Sequence, residues 1–141
     1  MAFLIFFSCT AIAWGQNSWP ISEEARNSAA HFAKLYELDA EQTQRVVQIE
    51  ARLERHLTNI AGLRDSDPEK YLQKLKAAYL GREHSIRAAL QQEQARAYRQ
   101  DMMWMRKKRA EKRIDLVREG RSLLEAEEQA YALLWQEQPR D

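Results

Sequence analysis

The stretch Leu38-Asp39-Ala40-Glu41-Gln42, followed by Thr43-Gln44-Arg45-Val46-Val47-Gln48-Ile49-Glu50, decides how this chain is read. Asp39 is a good helix N-cap, because its short carboxylate can accept from the free N–H groups of a first turn. Gln42 stands at the third helical position, where its side chain can return to the cap residue and close a capping box. Leu38, just ahead of the cap, is placed to staple onto an apolar residue of the first turns. The pattern returns as Leu90-Gln91-Gln92-Glu93-Gln94, followed by Ala95-Arg96-Ala97-Tyr98. Gln91 is a weak cap, so capping does not account for the echo, which fits either a bend or a helix running straight through. A repeated element says how a chain is built before any single residue does.

The segments around these two elements carry helical periodicity. Ser22 is a cap candidate with Glu23 and Glu24 in the first turn, where the helix dipole favours negative charge. Ala25, Ala29, Phe32, Ala33 and Tyr36 follow at helical spacing. Val46, Ile49, Leu53, Leu57, Ile60 and Leu63 make one apolar stripe after Asp39, with Arg45, Glu50, Arg52, Glu54 and Arg55 expected on the outer faces. Gly62 and Asp65-Ser66-Asp67-Pro68 end that helix, and Pro68 after Asp67 restarts another, which implies two antiparallel helices. Tyr71, Leu72, Leu75, Tyr79, Ile86 and Leu90 form the next stripe, interrupted by Gly81. From there to Gln138 only Gly120 breaks the pattern. That is roughly 45 residues, or about 70 Å at 1.5 Å per residue, longer than so small a domain can cover. It must fold back near Gly120 or pack on a partner chain.

Composition agrees with an all-α fold. The chain has 141 residues, room for one domain, with only four Gly and three Pro. Its body is rich in the strong helix formers Ala, Glu, Gln, Arg and Leu, and it lacks alternating β-branched runs. A formal net charge of +1 gives no general attraction to nucleic acid.

Met1 to Trp14 carry no charged side chain and have the length of a signal-peptide core, too short for a membrane span. Ala13 and Gly15 suit cleavage, giving a signal peptide over 1–15, a linker over 16–21 and one helical domain over 22–138. Export to the periplasm is expected. The single cysteine, Cys9, falls in the removed segment, so the mature chain is expected to lack disulfides. Lipidation at Phe6-Phe7-Ser8-Cys9 is the poorer alternative, because the core ahead of it is short.

No serine triad order, phosphate loop or HExxH motif is present, so an enzyme is not expected, nor a cofactor. Met102, Met103, Trp104 and Met105 could hold a soft metal or fill a pliable apolar surface, and with no His or Cys nearby the second reading is preferred. His31, His56 and His84 lie on three separate helices without ligand spacing, so no metal site is assigned. Arg106, Lys107, Lys108, Arg109, Lys112 and Arg113 form the strongest charge asymmetry, followed by acidic Glu119, Glu125, Glu127, Glu128 and Glu137. Such a run is either a solvated helix face or a surface for acidic segments of a partner.

With expected export, helical content and two Leu-x-x-x-Gln elements, Leu38 with Gln42 and Leu90 with Gln94, the chain resembles the Spy/CpxP family of small periplasmic proteins. That family carries a repeated Leu-Thr-x-x-Gln motif, and here Asp39 and Gln91 stand at the Thr position. The resemblance, over roughly residues 22–113, implies an elongated four-helix protomer with a central hairpin and a long C-terminal helix. It also implies homodimers with a basic, partly apolar concave face. Members act as ATP-independent chaperones or as envelope-stress and metal-resistance accessory proteins. The expectation is therefore a protein that binds unfolded clients through Met102, Met103, Trp104, Met105 and the basic run from Arg106 to Arg113. The alternative is a metal-binding, metal-sensing or regulatory protein of the same build that docks one partner.

Overall fold

The computed structural model describes residues 20–133, and within them all regular structure is helical. The expected signal segment, Cys9, most of the linker and residues 134–138 lie outside the described residues. Six helices follow one another: α1 (Glu23–Tyr36), α2 (Ala40–Ile60), α3 (Leu63–Ser66), α4 (Pro68–Ala89), α5 (Gln92–Arg118) and α6 (Leu123–Tyr131). That is two more than the resemblance implies. One extra is the short helix α3 inside the Gly62–Asp67 turn, and the other arises because the C-terminal helix is cut at Gly120. Among the described residues no helix is long and apolar enough to cross a membrane.

Local chemistry accounts for most of the boundaries. Ser22 Oγ accepts from the Ala25 amide at 2.9 Å and starts α1. Asp39 and Gln42 close a full capping box on α2, at 2.7 and 3.1 Å. Asp67 accepts from the Lys70 amide with Pro68 in the first turn of α4, and α4 runs unbroken through Gly81. Gly120, at φ +87, reverses the chain after α5, with the Arg121 amide reaching back to the Leu116 carbonyl at 3.0 Å. The fold-back near Gly120 is thus realised. At the end of α1 the left-handed position is taken by Glu37 rather than glycine, at φ 51.

The second Leu-x-x-Glu-Gln element is a bend. Leu90 is extended at φ −94 and ψ 146, separating α4 from α5. The two repeats meet there. Gln42 Nε2 donates to Gln94 Oε1 at 2.7 Å, and Gln94 Nε2 donates back to Gln42 Oε1 at 3.2 Å. Gln42 Nε2 also serves the Ala89 carbonyl at the end of α4 (3.1 Å), and Gln94 Nε2 the Tyr36 carbonyl at the end of α1 (3.0 Å). Gln94 Oε1 accepts from the Gln91 amide at 2.8 Å, as Gln42 Oε1 does from Asp39. Each glutamine therefore closes the start of its own helix and the end of the helix preceding the other repeat. Leu38 and Leu90 both pack against the core.

That core holds Phe32 and Tyr36 of α1, Val46 and Ile49 of α2, Ile86 of α4, and Tyr98, Met102 and Met105 of α5. The three rings of Phe32, Tyr36 and Tyr98 lie within 6.3 Å of one another between centroids, which ties α1 to α5. Glu50, expected on an outer face, is only 5% exposed. It takes Arg82 of α4 in a two-pronged pair at 2.9 and 2.6 Å and accepts from Ser28 Oγ at 3.0 Å. Arg82 in turn lies over the Phe32 ring at 5.3 Å. A single apolar stripe on α2 accounts for one neighbouring helix and leaves Glu50 outside. α2 packs against both α1 and α4, so two of its faces are covered.

Candidate binding groove

The basic run on α5 is divided by the helix itself. Arg106, Arg109 and Arg113 fall at i, i+3 and i+7 and share one face, while Lys107, Lys108 and Lys112 point to solvent. Glu83 of α4, itself 5% exposed, accepts from Arg106 at 3.0 Å and Arg109 at 2.7 Å. Glu127 of α6, 6% exposed, takes Arg113 at 3.2 Å and Lys76 of α4 at 3.0 Å. The Arg109 guanidinium also lies over the Tyr79 and Tyr131 rings, at 5.9 and 5.2 Å. Arginines that looked like free surface charge thus bind α6 into the seam between α4 and α5. Of the expected binding residues, Lys107 and Lys108 pair with Glu111 on the outer face, and Lys112 is exposed.

The methionine cluster splits in the same way. Met102 and Met105 are core residues, 4% and 1% exposed, filling space beside Tyr98. Met103 is 71% exposed. Trp104 is half-buried against the core, with the Lys108 ammonium 5.8 Å from its ring. Periodicity carried this signal, since Met102 and Met105 fall on the face of Tyr98 and Arg109, and Met103 does not.

Toward the Leu90 bend, beyond the contacts of α6 among the described residues, α4 and α5 border an open groove of about 200 Å³. Its walls are Glu83, His84 and Arg87 from α4, and Tyr98, Arg99, Met102, Met103 and Arg106 from α5. Glu83 is already neutralised by two arginines, whereas Arg87 and Arg99 have no ion-pair partner among the described residues. The groove is therefore cationic at its edges, with thioether and phenol surface on its floor. Arg87 and Arg99 were missed by sequence reasoning because they stand outside the contiguous basic run. For Arg99 the spacing relative to Met103 on α5 was the available signal: Arg96, Arg99, Met103, Lys107, Ile114 and Val117 make one stripe at helical steps, whereas Arg87 on α4 had no such signal. The end of that stripe is apolar, with Ile114 46% and Val117 47% exposed.

The three histidines stay apart, His31 on α1, His56 on α2 and His84 on α4, and His56 and His84 are exposed. Among the described residues no group of three or more His, Cys, Asp or Glu side chains is placed to hold a metal ion.

α6 is also held by charge through the residue after Glu127. Arg64 clasps Glu128 through two hydrogen bonds, at 2.8 and 3.0 Å. This holds the Glu128 carboxyl below its usual range, with the Tyr71 hydroxyl assisting. Tyr71 is itself pushed up to about 12, by burial first and then by its hydrogen bond to Glu128. Glu125 is lowered by the Ser122 amide and hydroxyl that it caps.

The chain matches no protein-family model, no curated protein and no solved structure.

Proposed function

We propose that this is an exported, ATP-independent holding protein, which captures unfolded or stress-damaged envelope proteins in the groove between α4 and α5. The observation that carries this reading is Met103. It is a large apolar side chain, 71% exposed, at a groove edge whose Arg87 and Arg99 have no ion-pair partner among the described residues. Unbranched thioethers adapt to many apolar surfaces, and arginines beside them attract acidic segments and speed capture. Binding of that kind needs no cofactor and no reaction. The Spy/CpxP resemblance, with its periplasmic location and elongated hairpin architecture, belongs to the same proposal. So does a homodimer, for which the exposed Ile114 and Val117 on α5 and Leu123 on α6 are the apolar surface available.

The test is an aggregation assay without ATP, with purified mature chain and several unrelated chemically unfolded clients. Suppression is expected at protein-to-client ratios near one, stronger at low salt than at high salt. No effect on any client at either salt would reject the reading.

A further inference from the structure

We propose that the pocket where α4, α5 and α6 meet is a binding site for a small oxyanion of the phosphate class. It lies beside the α4/α5 groove, with which it shares Glu83 and Arg106. Its walls include Glu83 of α4, Arg106, Arg109 and Arg113 of α5, and Glu127 and Tyr131 of α6, around a volume of about 250 Å³. At roughly 30 Å³ per water, that is room for a tetrahedral oxyanion and several waters.

Charge at this pocket does not balance. Glu83 is shared by Arg106 at 3.0 Å and Arg109 at 2.7 Å, and Glu127 by Arg113 at 3.2 Å and Lys76 at 3.0 Å. Four cations thus divide two carboxylates, and no other acidic residue lines the pocket, so two positive charges are left over. The excess is held in place. The Arg109 side chain is only 11% exposed, and its guanidinium lies over the Tyr131 and Tyr79 rings. Its Nε is buried with no hydrogen-bond partner among the described residues. A buried cation whose donors are only partly met favours a further counter-charge. Arg106 and Arg113 share its helix face and reach further into solvent. Each of the three arginines spends one hydrogen bond on a carboxylate, out of the five donors of a guanidinium. Donors unspent on one wall suit the several acceptor oxygens of a phosphate, and its charge of up to two matches the excess. A monocarboxylate, with two oxygens and a single charge, matches less well. The site needs no client and does not rest on the holding function proposed above.

The test is an amide NMR titration of the ¹⁵N-labelled mature chain near neutral pH with inorganic phosphate and, separately, phenyl phosphate. Ionic strength is held constant with chloride. Saturable shifts are expected at the amides of Ala110 and Ala130, which also line the pocket, with Kd below about 1 mM. The tighter of the two probes says whether the free ion or a monoester fits better. Arg106→Gln/Arg113→Gln leaves Glu83 with Arg109 and Glu127 with Lys76, and should weaken binding about tenfold or more. Lys107→Gln/Lys108→Gln removes the same formal charge from the outer face of α5 and should leave the affinity within about twofold. Should the double arginine variant lose its helical content, Arg113→Gln against Lys108→Gln is read in the same way. Shifts that never saturate with either probe would overturn the proposal. Equal losses in the arginine and lysine variants would overturn it too, because general attraction to a basic helix would then account for the binding.

Discussion

Gln42 and Gln94, 52 positions apart, exchange side-chain amide hydrogen bonds at 2.7 and 3.2 Å. Every polar atom of the two amide groups is used, between each other, their own cap residues and the C-terminal carbonyls of α1 and α4. Removing one glutamine leaves buried acceptors and a helix start without partners, at about 1–3 kcal/mol for an unsatisfied group and about 1 kcal/mol for a lost cap. Gln94→Ala is expected to cost about 2–3 kcal/mol in urea unfolding. A double-mutant cycle with Gln42→Ala is expected to give a coupling of about 1 kcal/mol or more. Additive effects would show that the two repeats do not depend on one another.

A second expectation concerns the Glu50–Arg82 pair, which joins α2 to α4 and is covered by Ser28 and Phe32 of α1. Removing one member strands a buried charge, so Glu50→Ala is expected to lower stability by about 3–5 kcal/mol. The double variant Glu50→Leu/Arg82→Met, which replaces the pair by apolar volume, should recover most of that loss. Arg82→Lys should lose part of the stability, because an ammonium cannot make the two-pronged contact. Thermal unfolding of the three variants decides the matter, and an exposed-pair outcome, below about 1 kcal/mol for Glu50→Ala, would contradict burial.

Two positions with positive φ make opposite forecasts. Glu37 holds a left-handed conformation that costs a non-glycine residue about 1–2 kcal/mol, partly offset by glycine's greater freedom in the unfolded chain. Glu37→Gly should therefore raise stability by about 0.5–1 kcal/mol. Gly120→Ala should lower it by about 1 kcal/mol, although the space around Gly120 is open, because the strain is in the backbone.

Acid should release α6 before the rest of the bundle. The carboxyls of Glu128 and Glu125 are both held below their ordinary range in the folded chain. Between folded and unfolded values the unfolded chain binds more protons, so stability rises with pH in that window. The contribution is complete above the ordinary glutamate value of about 4.3 and is lost as pH falls through the folded values. Hydrogen exchange of the α6 amides, followed from pH 6 downward, should report early opening. Glu128→Gln should be less stable than the parent at neutral pH and should lose less on acidification.

The parts of the fold legible in the sequence were those decided within a few residues. Ser22, Asp39 and Pro68 start helices through atoms three positions away, and Gly120 turns the chain through its own φ. What escaped depends on partners far along the chain. Glu50 reads as a solvent-facing acid because its arginine is 32 positions on, and Glu83 carries no local signal because its arginines are 23 and 26 positions on. Gln94 looked like half of an incomplete cap because its other half is Gln42. Within the candidate groove, the sequence shows a block of residue types but leaves its division between helix faces to be worked out. Treating Met102 to Arg113 as one block hides the split between the buried Met102 and Met105, with the partly buried Arg109, and the exposed Met103 and Lys107. Helical spacing already contained that split.

Contact between unfolded clients and the α4/α5 groove is read by site-specific photo-crosslinking. A photo-reactive residue is placed at Met103, at Arg99 and, as an exposed position on α2 away from the groove, at Thr58, and each protein is irradiated with an unfolded client present. Strong crosslinks are expected from positions 103 and 99, reduced at high salt, and little from position 58. Equal yields from all three positions, or none from 103, would contradict it.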